Sequence, residues 1–216
     1  MRTLKTLVAG SLLAIASLFG SACSAADTGS ASFQPGRDYT EVPNVQKPAD
    51  PKRITVEEFF WYGCPHCYVL DPALDTWLKD KPADVDFSRV PNTLGRPEGE
   101  VHSRAFYIAQ TLGILDKTHK PMFDAIHVQH QSMTSLDAIR ALYVAAAGIK
   151  PADFDGVANS FVVDSGMRRA EAQARTYVIR SVPNLIVGGQ YSVPSSANTF
   201  KVVDFLIDKI RKDRNR

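Results

Sequence analysis

The chain of 216 residues has only three cysteines, too few for a small scaffold stapled by disulfides. It also lacks a surplus of either charge outside its first segment. Lys and Arg number 25 and Asp and Glu 23; Arg2 and Lys5, in a first 26 residues without an acid, account for the difference and leave 23 of each. General nucleic-acid binding by charge is thereby excluded, because neutralising phosphates needs a basic excess. The apolar run at residues 7–19 is about 13 residues long, short of the ~20 that a membrane span needs. There is no internal repeat. With 44% hydrophobic and 22% charged residues, wholesale disorder and fibrous architectures are excluded too.

What is present begins with a leader. Residues 1–5 are basic, residues 7–19 are apolar, and small residues follow from Gly20 to Ala26. This is the layout of a secretory signal over residues 1–26. It places the folded part in an oxidising space, where cysteine pairs persist as disulfides. Cys23, closing a small-residue run, offers an alternative: lipoprotein processing that would leave it as a lipidated N-terminus and the chain lipid-anchored rather than soluble after cleavage. Residues 27–47 are expected as a linker, rich in Ser, Gly, Ala and Pro in the first half.

The rest alternates between strand and helix patterns. Residues 54–62 (ITVEEFFWY) are β-branched and aromatic and read as a buried strand. Gly63 ends it, and Cys64-Pro65 opens a helix, with proline at the first position where no amide is missed. Pro72 falls inside that helix. Residues 85–90 (VDFSRV) read as a second strand. Helical patterns then cover 103–115, 120–128, 136–147 with Ser135 as cap and Gly148 as stop, 151–163 and 166–179. Residues 185–193 read as a hairpin around Gly188-Gly189, and 200–211 as an amphipathic helix. The order implies an α/β core in two parts, 48–96 and 161–216, interrupted by a helical insertion over 97–160.

The chemistry lies in Cys64-Pro65-His66-Cys67. With Cys64 at a helix start and Cys67 one turn in, the two sulfurs are within bonding reach. Cys64 sits where unpaired amides and the helix dipole favour an anion, and a protonated His66 adds to that. Cys67 faces inward and can act only on its neighbour. A stabilised Cys64 thiolate stabilises the dithiol form, so the disulfide becomes a ready electron acceptor. Half of a zinc site is a poor alternative, since no second Cys-x-x-Cys or His-x3–5-His follows. Haem attachment needs a histidine where Tyr68 stands. A purely structural 64–67 disulfide closes too small a loop to stabilise much. No metal or cofactor is expected.

From about Gly36 to the C-terminus the chain resembles the DsbA family of periplasmic thiol:disulfide oxidoreductases. The likeness rests on Glu58-Phe59-Phe60, Cys64-Pro65-His66-Cys67-Tyr68, Asn159-Ser160-Phe161-Val162-Val163, and Ser181-Val182-Pro183 ahead of residues 185–191. It implies a thioredoxin-like fold with an inserted helical domain. It also implies oxidation of cysteines in unfolded, newly secreted proteins and reoxidation by a quinone-linked membrane partner of the DsbB type. The Cys-Pro-His-Cys choice is the family's oxidant signature, with Pro65 and His66 as tuning residues. Pro183 falls where the family carries a cis-proline, whose use would be to present the Val182 backbone to an extended substrate.

Glu58 shares a strand face with Ile54, Val56 and Phe60 and should be buried, with a raised pKa. By resemblance it handles the proton of the resolving cysteine; the alternative is simple pairing with a cation such as Arg89. Glu57 points the other way and gets no role. Trp61, Tyr62, Phe59 and Phe60 either line a substrate groove or pack the core. His127 and His130 read as a solvated helix end rather than metal ligands. With no residues left over for a dimerisation domain, a monomer is expected. A reductase or isomerase, or a peptide-binding chaperone that does not use its thiols, remains as a competing reading of function.

Overall fold

The computed structural model describes residues 33–214; the leader over 1–26, Cys23 and the start of the linker lie outside these residues. In chain order the elements are β1 (Thr40–Glu41), β2 (Ile54–Phe60), α1 (Pro65–Asp80), β3 (Val85–Pro91), α2 (Pro97–Thr111), α3 (Leu115–His127), α4 (Leu136–Ala147), α5 (Pro151–Ala158), α6 (Phe161–Thr176), β4 (Asn184–Val187), β5 (Tyr191–Pro194) and α7 (Thr199–Arg214). The strands form one sheet in the order β1-β5-β4-β2-β3. β2 and β3 are parallel, joined through α1, and the remaining pairs are antiparallel. This is the α/β class expected from the sequence, with α2–α6 inserted between β3 and β4.

β2 lies inside the sheet between β4 and β3 and is buried along nearly its whole length. A strand covered on both faces needs a near-continuous apolar run, and ITVEEFF supplies one apart from Thr55 and two carboxylates. Alternation sends Ile54 and Val56 into a core with Leu74, Trp77, Val203 and Leu206 of α1 and α7. Phe59 enters the opposite core with Phe106, Met122, Phe123 and Tyr177 of the inserted helices. Each such side chain contributes roughly 1.5–3 kcal/mol on burial. Phe60 joins the helical core at the strand end, where α2 and α3 close over it; its ring centroid lies 5.6 Å from Phe106 and 5.4 Å from His119.

The hairpin turns on Gly188 and Gly189 at φ +59° and +65°, as a two-residue turn of this type requires. Two local expectations differ from the structure. The stretch after residue 33 is packed rather than a linker. Tyr39 and Val42 are buried, β1 pairs with β5, and the Gln46 amide donates to the Gly189 carbonyl at 2.9 Å. A Cβ on Gly189 would meet the Gln46 carbonyl oxygen at 2.3 Å, so the close crossing depends on that glycine. The helix expected over 151–163 breaks at Asn159, and Ser160 caps α6 by accepting from the Val163 amide. Phe161 therefore sits in the first turn of α6 and is exposed, not on a buried face. The capping oxygen outcompetes the apolar periodicity that would carry the helix through.

Candidate active site

The β2 strand ends at Phe60, and the Trp61 carbonyl accepts from the Cys64 amide at 2.9 Å, closing the turn into α1. Cys64 is the N-cap of α1 and Pro65 its first helical residue. The Cys64 carbonyl accepts from both the Cys67 and Tyr68 amides at 3.1 Å. The sulfur thus occupies the place where a serine or aspartate oxygen would meet the free amides of the first turn. Gly63 leaves room beside it for the Trp61 ring, which a Cβ there would meet at 2.4 Å and displace.

Both cysteines are free thiols, yet their surroundings differ. Cys64 retains 8% exposure and Cys67 none, so only Cys64 can be reached by a second molecule. A hydrogen bond from Cys67 is the largest influence lowering the Cys64 pKa. The His66 and Cys67 amides and the nearby His66 ring act the same way, and together they outweigh burial and bring it to about 6. Cys67 is driven far up by the same hydrogen bond and by burial, so it holds its proton. The Cys64 sulfur lies 3.5 Å from the Val182 carbonyl oxygen. The Val182–Pro183 bond is cis, and Pro183 is buried while Val182 is partly open. Pro65 and His66 are exposed at the rim.

Beneath Cys67 the sheet and two helices assemble a buried polar network. Glu58 stands opposite Arg89 in the β2–β3 register, with Oε2 3.3 Å from the Arg89 Nε. The two atoms are not aligned for a hydrogen bond, and among the described residues neither has a hydrogen-bond partner. Burial is the main cause that raises the Glu58 pKa, against the pull of Arg89, to about 7. Arg89 Nη2 donates to Asp71 at 3.0 Å and to Asp75 at 3.3 Å. Asp71 also meets His119 Nε2 at 3.2 Å, and His119 Nδ1 lies 2.8 Å from the Tyr62 hydroxyl.

Sequence reasoning missed several of these groups. Asp71 follows Cys67 by four residues and lies with Leu70 and Leu74 on the buried side of α1; a charge on an apolar helix stripe was its signal. His119 shares spacing with Met122 and Phe123 on α3 in the same way. His127 is no solvated helix end: its Nε2 lies 2.7 Å from the Tyr62 carbonyl and its ring stacks on Tyr68 with centroids 5.0 Å apart. His130 is exposed. Glu57, given no role, is buried on the face opposite Glu58, where Gln173 Nε2 donates to it at 2.8 Å. Tyr62, Phe59 and Phe60 are fully buried and pack the core, while Trp61 is partly open, with Arg96 5.6 Å above its ring. Among the described residues no group of three or more potential ligands could hold a metal.

Arranged in this way, the site can break and make disulfides: one reachable sulfur that ionises easily, one sealed sulfur that keeps a proton, and a buried carboxyl whose pKa lies near neutrality. Comparison with known proteins points the same way. The family model for a DSBA-like thioredoxin domain matches residues 83–206, a span that starts after the two cysteines. The thiol:disulfide interchange protein DsbA of Pseudomonas aeruginosa is 33% identical over 96% of this chain and 98% of its own length. The protein of the same name from Azotobacter vinelandii is 35% identical over 96% of this chain and 99% of its own. The crystal structure of Pseudomonas aeruginosa DsbA superposes with a TM-score of 0.79 at 31% identity, covering 85% of this chain and 97% of that one.

Proposed function

Taking as premise that the chain belongs to the DsbA family, with its thioredoxin-like fold, we propose that Cys64 and Cys67 carry its activity and that this activity runs in the oxidising direction. The protein is a thiol:disulfide oxidoreductase that oxidises cysteines of other proteins. A client thiolate attacks the Cys64 sulfur of the Cys64–Cys67 disulfide. A client–Cys64 bond forms, the Cys64–Cys67 bond breaks, and Cys67 leaves as a thiolate that takes a proton. A second client thiolate then attacks the client sulfur, and Cys64 departs as a thiolate. Two electrons pass from the client's two thiols to the pair.

The single observation that carries the direction is the asymmetry of the two sulfurs. A leaving thiolate departs faster the lower its pKa, and Cys64, at about 6, is ionised at neutral pH. One unit below neutrality is about 1.4 kcal/mol in favour of the dithiol, roughly 30 mV for a two-electron couple, before solvent screening reduces it. Pro65 and His66 tune this site: proline starts the helix without wasting an amide, and His66 lends positive potential. Glu58 exchanges the proton of Cys67, a role supported by its burial and by a pKa near that of the medium. Val182 and Pro183 bind the client as an extended strand beside Cys64, supported by the carbonyl contact to its sulfur.

The chain works in the periplasm as a soluble monomer once residues 1–26 are removed, the alternative being attachment through a lipid on Cys23. Among the described residues no helix is long and apolar enough to cross a membrane. A quinone-linked membrane protein of the DsbB type restores the disulfide. The test is reactivation of a reduced, unfolded disulfide protein by the oxidised chain without glutathione disulfide. Cys64→Ser should abolish it, and normal activity in that variant would reject the mechanism.

A further inference from the structure

We infer that His119, carried on α3 among the inserted helices, is a positioning residue that makes Glu58 rather than Asp71 the carboxyl holding the site's proton. The inference rests on the reading that Glu58 exchanges a proton with Cys67.

The starting point is an imbalance. One buried guanidinium, Arg89, faces two buried carboxyl groups, Glu58 and Asp71, and a third, Asp75, whose side chain is 58% exposed and served by water. Arg89 cannot neutralise both buried groups, and a second uncompensated carboxylate in such a place is costly. One of them must therefore hold a proton over much of the pH range, and whichever has better donors stays ionised. The two titrate as a coupled pair.

His119 breaks the tie. Tyr62 is fully buried, and burial holds its phenol well above its ordinary pKa, so its hydroxyl keeps its proton and donates it. Among the described residues the hydrogen-bond partner of this hydroxyl is His119 Nδ1 at 2.8 Å, which must then accept. Burial lowers the pKa of His119, so the ring is neutral, and its one N–H lies on Nε2, 3.2 Å from Asp71 Oδ1. Asp71 thus receives two donors, Arg89 Nη2 and His119 Nε2. The Oε2 of Glu58 has Arg89 at 3.3 Å without hydrogen-bond alignment and, among the described residues, no hydrogen-bond partner. The remaining groups facing the pair are Cys67 from α1, which holds its proton, and, more weakly, Lys120 from α3, which pairs with Asp124. The β4 neighbour of Glu58 is apolar Leu185. Arg89, aligned on Asp71, and Lys120 act in the same sense, and His119 adds the buried N–H donor that Glu58 lacks.

The test uses the reduced, full folded chain with carboxyl carbon NMR titration of Glu58 and Asp71. His119→Phe removes the donor to Asp71, so Asp71 takes a share of the proton and frees Arg89 for Glu58. The Glu58 midpoint should fall, by about tenfold in proton affinity, and that of Asp71 should rise. His119→Gln, whose amide can reach the place of Nε2, should restore both. If His119→Phe does not fold, His119→Met, which also lacks a donor, serves and should move both midpoints the same way. Unmoved midpoints in a folded variant overturn the inference. A second readout separates it from its premise: the pH profile for closure of a Cys64 mixed disulfide by Cys67 should follow the Glu58 midpoint. A midpoint that moves without the profile keeps the role of His119 and removes that of Glu58 in the Cys67 step.

Discussion

Two regions three residues apart receive the same atom and treat it in opposite ways. At the head of α1, Cys64 meets free amides, the His66 ring and an opening to solvent, and its thiol ionises near pH 6. One turn down, Cys67 meets the underside of the sheet, with no exposure and a carboxyl network nearby, and stays protonated. The lesson is that a hydrogen bond between the two sulfurs has one sign for each end: the donor is held neutral and the acceptor is helped to ionise. Redox asymmetry in so short a motif comes from where the helix starts and what lies under it.

The sharpest way to break this comparison is to remove the sealed sulfur. Cys67→Ser should lose turnover entirely; its Cys64 thiolate should open the disulfide of an already oxidised client, bond to one client sulfur while the other leaves as a thiolate, and stay there as a covalent adduct visible on a non-reducing gel. Free turnover would show that the two sulfurs are not divided in labour. Next comes the floor of the site. Glu58 has its pKa raised from 4.5 to about 7, so its protonated form is favoured by folding. That contribution is complete below about pH 4.5 and is lost as pH rises through 7, a change of roughly 3 kcal/mol. Denaturant unfolding of Glu58→Gln should lack this fall and exceed the parent in stability at pH 8. An unchanged pH profile would place the proton elsewhere.

A smaller effect tests the rim. The lowered Cys64 pKa exists only in the dithiol form, so its stabilisation appears as pH rises through 6 and is complete above 9. The melting temperature of the reduced chain should gain on that of the oxidised chain over this interval, and a constant gap would deny the depressed pKa. The smallest effect contrasts Glu58 with its neighbour. Glu57 is raised mainly by burial, eased by a hydrogen bond with Tyr177, and has the Gln173 amide instead of a cation. Glu57→Gln should leave oxidase activity as it was and shift stability at pH 8 by under about 1 kcal/mol. A lost activity would link the α6 face of the sheet to the thiols.

What could be read beforehand follows from how local each feature is. The start of α1 at Pro65 with Cys64 before it, the hairpin at Gly188-Gly189 and the Ser135 cap are each settled within a few residues. The pairing of Glu58 with Arg89 was open to reading because parallel strands β2 and β3 place them side by side. The partner of Glu57 was not legible, because alternation gives the face a side chain takes and not that Gln173, 116 positions away, meets it there. Tyr62, His119 and His127 were hidden because their partners lie 57 to 65 positions away in the chain.

The sequence alone determined which sulfur caps a helix, hence which one can be an anion, since that depends on a proline, a turn and the amides of one helical turn. Only the tertiary structure decided where the protons below it rest. Those positions are set by burial and by which of two carboxyls shares a guanidinium and an imidazole, as with Asp71 and His119, 48 residues apart. Desolvation and pairing act through space, so no local pattern encodes them.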